Sequence, residues 1–111
     1  MNITEHRQSN AIVLRPTGVI AGEDADQLGQ RLTEVLESPG VRVVVDMSGV
    51  TLLDSRALEV LVEATEKLIR VGEALILVLP NDVVREVLEL TEVASLFEQY
   101  DDLEVAIGSL A

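Results

Sequence analysis

The sequence predicts a single α/β domain built around a largely parallel sheet. Two unbroken apolar runs, Val43–Val45 and Ala74–Leu79, are typical of strands that are buried on both faces. Apolar residues at helical spacing lie before and after these runs, so helices and strands alternate along the chain. Crossover units of this kind place neighbouring strands parallel to each other. A length of 111 residues accommodates one domain, which we assign to residues 1–111.

Composition argues against several classes of function. The 20 acidic and 8 basic residues give a net charge of -12, which repels nucleic acid and anionic membrane surfaces, so we expect neither as a partner. The absence of cysteine excludes disulfides, thiolate metal sites and cysteine nucleophiles. The N-terminus lacks the basic and apolar regions of a signal peptide, and the apolar runs are too short to insert across a bilayer. We therefore expect a cytoplasmic protein.

The first third of the chain predicts two strands and a helix. Residues 2–7 predict a short edge strand, and Ala11–Arg15 predicts a second strand that Pro16 and Gly18 interrupt. A helix begins at residue 23 or 24 and stops at a Ser-Pro-Gly sequence. Its apolar face comprises Ala25, Leu28, Leu32, Val35 and Leu36.

The middle of the chain predicts a central strand, a turn and a long helix. The strand is Val41–Met47, and Gly49 marks the turn after it. The helix starts abruptly at Asp54 and Ser55, where a short side-chain oxygen can accept a hydrogen bond from an otherwise unpaired backbone N–H. We expect this helix to run to about Val71, with the Ser55 hydroxyl near the surface at its positive end. Its apolar face comprises Ala57, Leu58, Leu61, Val62, Ala64, Thr65, Leu68 and Ile69.

The last third predicts two strands, each followed by a helix. Ala74–Leu79 forms the first strand and Pro80 ends it. Asn81 or Asp82 caps a short helix, and Leu96–Tyr100 is a last short strand. The short helix turns Val83, Val84, Val87 and Leu88 inward. A final helix, capped by residue 101 or 102, buries Leu103, Ala106, Ile107 and Leu110.

Residue types that carry catalysis are sparse. The single histidine, His6, lies near the chain end, where an exposed and non-catalytic role is expected. Asp46 and Asp54 could together hold a magnesium ion and receive a phosphoryl group, as in receiver domains, but the only lysine, Lys67, lies in mid-helix rather than on a late strand. We therefore predict turn and capping roles for both aspartates. We expect no enzymatic activity, no metal site and no cofactor.

Residues 46–55 read Asp-x-Ser-Gly-Val-x-x-x-Asp-Ser and precede a Leu-rich helix, and this pattern resembles the STAS family of anti-sigma factor antagonists and their relatives. The resemblance covers nearly the whole chain. Gly18–Leu28 resembles the family's bend and first helix, Leu90–Phe97 its Leu-Thr-x-x-x-x-Leu-Phe segment, and Asp101–Ala106 its closing helix. The resemblance implies a mixed sheet of four to five strands with about four helices mainly on one face.

The same resemblance implies a switching mechanism. Such an antagonist binds an anti-sigma factor, which is an ATP-dependent serine kinase, and thereby frees the sigma factor. The kinase phosphorylates the serine after the aspartate, which is Ser55 here, the complex dissociates, and a phosphatase resets the switch. A helix start tolerates the added charge whereas a closed interface does not, so we expect binding to change while the fold persists. The expected partner face comprises Val19, Ile20, Glu23, Met47, Asp54, Ser55, Arg56 and Ala57.

The chain departs from the family pattern at two places. Phospho-acceptors of the family usually continue Asp-Ser-Ser/Thr-Gly, whereas this chain has Asp54-Ser55-Arg56-Ala57, and Ala21 stands where many members carry Asp. A methyl group on Ala57 is expected to crowd a kinase at the helix start. Arg56 brings a charge that could pair with a phosphate or with an acidic partner.

Two other functions remain open, and the altered Arg56-Ala57 favours the first of them. One is a non-phosphorylated STAS scaffold or accessory module in a stress-signalling assembly or membrane transport system, in which Ser55 serves only at the helix start. The other is a nucleotide-binding sensor.

Overall fold

The structure is a computed structural model that describes residues 1–78 and 81–110. In these residues the strands are β1 (Asn2–Gln8), β2 (Ala11–Ile20), β3 (Arg42–Asp46), β4 (Val50–Leu53), β5 (Ile76–Val78) and β6 (Glu98–Tyr100). The α-helices are α1 (Glu23–Leu36), α2 (Ser55–Ile69), α3 (Asp82–Leu90) and α4 (Leu103–Gly108), and a 3-10 turn spans Ala94–Leu96. The predicted strand end at Leu79 and Pro80 lies outside the described residues.

A mixed sheet confirms the predicted fold class. Its strand order is β1-β2-β3-β5-β6, with β1 antiparallel to β2 and the other neighbours parallel. The strand β4 pairs in parallel with the second half of β2 and adds one short strand beyond the four to five expected. The strand β3 lies at the centre of the sheet, as the run of valines predicts.

Helices α1, α2 and α3 cover one face of the sheet, and α4 covers the other. Successive residues of β2 point to opposite faces because side chains alternate along a strand. Leu14 belongs to the larger core cluster with the three helices, whereas Val13 packs with Ala106 and Ile107 of α4. The expected arrangement, with helices mainly on one face, is confirmed.

The strand β2 does not stop at Pro16, contrary to the prediction. It changes partners instead, because Ala11–Leu14 pair with β3 and Gly18–Ile20 pair with β4. Pro16 has no partner in either of these strands, so its missing N–H interrupts neither parallel ladder. Gly18 has a φ of +89° and lies where the pairing to β4 shifts register, a conformation that glycine adopts without a steric penalty.

Helices α1 and α2 pack closely through a glycine. A Cβ atom added to Gly29 would lie 3.1 Å from Cγ2 of Val60, so the bare backbone lets the second helix approach. This contact turns the buried stripe of α2 toward Val60, which the predicted face omits, and leaves Ile69 45% exposed. Val83, also predicted to point inward, is 46% exposed beside the buried Val84. None of the described helices is long and apolar enough to span a bilayer.

Candidate functional site at the start of helix α2

Two strand ends and two helix starts meet at one edge of the sheet. Leu53, the last residue of β4, pairs with Ile20, the last residue of β2. The N–H of Asp54 then donates to the carbonyl of Ile20 at 3.0 Å, which extends this pairing beyond β4. Because α1 follows β2 and α2 follows β4 after very short connections, the two helices start side by side.

Asp54 caps α2 and also holds the start of α1. Its Oδ1 accepts a hydrogen bond from the N–H of Ala57 at 2.8 Å, and its Oδ2 accepts one from the N–H of Gly22 at 3.0 Å. These two bonds, the one from Ala57 first, hold the pKa of Asp54 below its ordinary value. The carboxylate is therefore charged at neutral pH and fixed between the two helices.

Ser55 is the first residue of α2 and is exposed. Among the described residues its hydroxyl makes no hydrogen bond, because Asp54 supplies the helix cap. The first turn of α2 carries no acidic residue, so the positive end of the helix is not neutralised from within that turn. The hydroxyl is thus reachable from outside.

Arg56 links the two helices on the surface. Its Nε donates to Oδ1 of Asp26 at 2.9 Å, and its Nη1 donates to Oε1 of Glu59 at 2.8 Å. A third carboxylate, that of Glu63, lies 3.9 Å from Nη1. The hydrogen bond to Asp26 and the charges of these carboxylates raise the pKa of Arg56 above its ordinary value.

The eight residues expected at the partner face divide by burial. Exposed or partly exposed side chains are those of Val19, Glu23, Asp54, Ser55 and Arg56. Fully buried side chains are those of Ile20, Met47 and Ala57. The buried three support the site from inside the core and offer a partner no side-chain surface in this conformation. The methyl group of Ala57 in particular points inward, so it does not crowd the helix start as the sequence suggested.

Leu52 is a surface residue that the sequence pattern does not predict. It pairs with Val19 across the parallel strands β2 and β4, and the two side chains are 50% and 48% exposed. We call Val19 and Leu52 the apolar pair. The sequence predicts only a turn between the central strand and Asp54, because a four-residue strand of mixed burial leaves too short a pattern to identify an exposed leucine.

Asp46 has a structural role at the end of β3. Its Oδ2 accepts bonds from Nη2 of Arg15 at 2.7 Å and from Nε at 2.9 Å, while Oδ1 accepts the N–H of Ser48 at 3.0 Å. Burial alone would raise the pKa of Asp46, but the bonds from Ser48 and Arg15 outweigh it and hold the pKa below its ordinary value. Both oxygens are thus occupied, as the predicted turn role requires. No group of three metal-ligating side chains occurs in residues 1–78 and 81–110.

The family model of the STAS domain matches residues 2–106. The chain belongs to the STAS family. An anti-sigma factor antagonist from Mycobacterium paratuberculosis shares this STAS fold with 26% identity over 97% of this chain and 92% of that chain, at a TM-score of 0.85. A Thermotoga maritima protein provisionally identified as an anti-sigma factor antagonist shares it with 23% identity over 96% of this chain and 92% of that chain, at a TM-score of 0.87. No curated protein matches the sequence.

The fold is also similar to those of two SpoIIAA structures, one unphosphorylated and one phosphorylated. The anti-sigma factor antagonist SpoIIAA in its unphosphorylated form has 16% identity over 98% of this chain and 96% of that chain, at a TM-score of 0.82. The Bacillus cell fate determinant SpoIIAA in its phosphorylated form has 15% identity over 99% of this chain and 100% of that chain, at a TM-score of 0.78. A murine anion transporter of solute carrier family 26 matches 77% of this STAS domain with 14% of its own chain, at 14% identity and a TM-score of 0.63.

Proposed function

We propose that this STAS domain is a cytoplasmic anti-sigma factor antagonist that acts by binding rather than by catalysis. It binds an anti-sigma factor that is a serine kinase, frees the sigma factor, and is released when the kinase phosphorylates Ser55. A phosphatase removes the phosphate and restores binding. The observation that carries the proposal is the exposed hydroxyl of Ser55 at the first position of α2, directly after the capping Asp54.

The chemistry needs only the serine from this chain. The Oγ of Ser55 attacks the γ-phosphorus of ATP held by the partner, the bond to the ADP oxygen breaks, and the hydroxyl proton passes to a base of the partner. The product carries about -1.5 to -2 additional charge at neutral pH. A helix start favours this charge by roughly 0.3–1 kcal/mol, so the modified domain stays folded.

The surroundings of Ser55 explain why the same charge would end an interaction. The apolar pair lies on the strands that end at this site, so a partner covering it would exclude water from the neighbouring serine. A phosphate at such an interface must lose its hydration, and this desolvation opposes binding. The first turn of α1 adds the carboxylates of Glu23, Asp24 and Asp26, which favours a partner with a basic surface.

The test uses purified candidate anti-sigma kinases and ATP. We expect phosphate on Ser55, binding by Ser55→Ala that no longer responds to ATP, and weak binding by Ser55→Asp. Ser95→Asp is the matched control, because Ser95 is exposed on the 3-10 turn. This substitution adds the same charge at a position away from the site. Absence of phosphate on Ser55, together with unchanged binding by Ser55→Asp, would overturn the proposal.

The alternative function is a non-phosphorylated STAS scaffold or accessory module in a stress-signalling assembly or membrane transport system. Arg56 favours it, because a charged residue tied to Asp26 and Glu59 stands where the family pattern carries a second hydroxyl. Under this alternative the protein copurifies with a large assembly or a transporter, and Ser55→Ala behaves as wild type.

A further inference from the structure

Arg56 is the only basic side chain supplied by the segments that surround Ser55. No lysine or other arginine occurs between Arg42 and Lys67, and none occurs between Arg15 and Arg31. Those two segments contain the starts of both helices. Any phosphate placed on Ser55 therefore has one cationic side chain of these segments available to it.

The carboxylates around this arginine would oppose a phosphate. Asp54 is charged and fixed directly before Ser55, and Glu59 and Glu63 follow on α2. Across the helix pair, the first turn of α1 presents the acidic side chains of Glu23, Asp24 and Asp26. A phosphate on Ser55 is repelled by these carboxylates, and a cation that moves to meet it offsets this repulsion.

The guanidinium of Arg56 can make that move. Its side chain is 45% exposed, and the side chains of Asp26 and Glu59 are more exposed still. Its present ion pairs are therefore weak and exchange readily with water. Its Nη2 makes no hydrogen bond to any residue of the described chain. The guanidinium lies between Asp26 in the first turn of α1 and Glu59 on α2, so it must turn back toward the start of α2 to reach Ser55.

We propose that Arg56 binds the phosphate of phosphorylated Ser55 and gives up Asp26 and Glu59 to do so. A planar guanidinium can form two parallel hydrogen bonds to one phosphate, whereas its present bonds go singly to two exposed carboxylates. Phosphorylation then changes two features of the partner face together. It adds a phosphate at Ser55, and it removes the link between α1 and α2 that Arg56 provides. The relevance to cells rests on the function proposed above.

The test measures the second pKa of the phosphate itself. Phosphoserine is installed at position 55 during translation, and its 31P chemical shift is followed against pH. We expect Arg56→Gln to raise this pKa by on the order of 1 pH unit, because a nearby cation favours the dianion. Arg56→Lys, which keeps the charge but not the paired hydrogen bonds, should fall between Arg56→Gln and wild type.

Arg31→Gln is the matched control. Arg31 lies on α1 and, like Arg56, pairs with a carboxylate, that of Glu5 at 2.7 Å, so its removal changes net charge equally without touching the helix start. A pKa that rises equally in Arg56→Gln and Arg31→Gln would overturn the proposal.

A second pair of variants tests the exchange of partners. Asp26→Asn and Glu23→Gln each remove one carboxylate from the first turn of α1, but only Asp26 holds Arg56. We expect Asp26→Asn to lower the phosphate pKa more than Glu23→Gln, and equal effects would contradict the exchange. Because the phosphoserine is installed without a kinase, both measurements remain decisive even if no kinase modifies Ser55.

Discussion

The carboxylate of Asp54 accepts the N–H of Gly22 at 3.0 Å, across 32 positions of sequence. One side chain thereby fixes the starts of two helices, because its other oxygen accepts the N–H of Ala57 in α2. Gly22 is the N-cap of α1 and has a φ of +56°, and the carboxylate of Asp54 supplies the acceptor for its backbone N–H. The position of Ser55 relative to α1 follows from this arrangement.

Removing the Asp54 carboxylate should loosen both helix starts. We expect Asp54→Ala to lower the midpoint of thermal unfolding and Asp54→Asn to lower it less, because an amide oxygen still caps a helix but only one oxygen remains to accept. Hydrogen exchange at Gly22 and Ala57 checks the mechanism. Exchange that accelerates at Ala57 alone in Asp54→Ala would show that the link to α1 contributes nothing.

Thr65 should be the most costly hydroxyl to remove from α2. It is fully buried, donates to the carbonyl of Leu96 at 2.6 Å and accepts the N–H of Leu75 at 3.0 Å. Thr65→Val leaves the carbonyl of Leu96 and the N–H of Leu75 without this hydrogen-bond partner. We therefore expect a loss of about 1–3 kcal/mol in the free energy of unfolding in denaturant. Thr33→Val is the control, since Thr33 is exposed and bonds only within α1, and a change below about 0.5 kcal/mol is expected there. Equal losses would refute the assignment.

Asp46 should make the fold sensitive to acid. Its folded pKa lies below its ordinary value, so its contribution to stability is present above the unfolded pKa and is lost as pH falls through the folded pKa. We therefore expect the free energy of unfolding of wild type to fall steeply below about pH 4, and that of Asp46→Asn to fall less steeply. Glu66→Gln, at an exposed position of α2, is the control. If the free energy of unfolding of Asp46→Asn fell as steeply with decreasing pH as that of wild type, the role of the Arg15–Asp46 bond would be contradicted.

The apolar pair should contribute to partner binding without contributing to the fold. Leu52→Glu places a charge on a side chain that is already half exposed, so we expect little change in thermal stability and at least about a tenfold loss of affinity for the anti-sigma factor. Val105→Glu is the matched control, because Val105 is 59% exposed on α4, which packs on the other face of the sheet. Equal affinities of the two variants for the anti-sigma factor would show that β2 and β4 are not part of the interface.

Local patterns were sufficient to predict most of the architecture. The run of valines in β3 predicts the central strand because only a strand covered on both faces tolerates it. Asp54, Asn81 and Asp102 were among the predicted cap positions, because a side-chain oxygen before an apolar stripe satisfies a free N–H.

Tertiary contacts account for what the sequence left unpredicted. The continuation of β2 past Pro16 depends on a change of partner strand, and the burial of Val60 depends on the absence of a side chain at Gly29. Ile20 and Met47 were expected at the partner face around Ser55, yet both lie in the core. Their neighbours in sequence, Val19 and Ser48, are the exposed ones, and the alternation of a strand and its turn determines which of two adjacent residues faces outward.

The most direct test of the central claim is mass spectrometry of the protein purified from its own cells, in its free and its partner-bound pools. We predict phosphate on Ser55 in the free pool and unmodified Ser55 in the pool bound to the anti-sigma factor. Ser55 without phosphate in both pools, or with equal phosphate in both, would contradict the account.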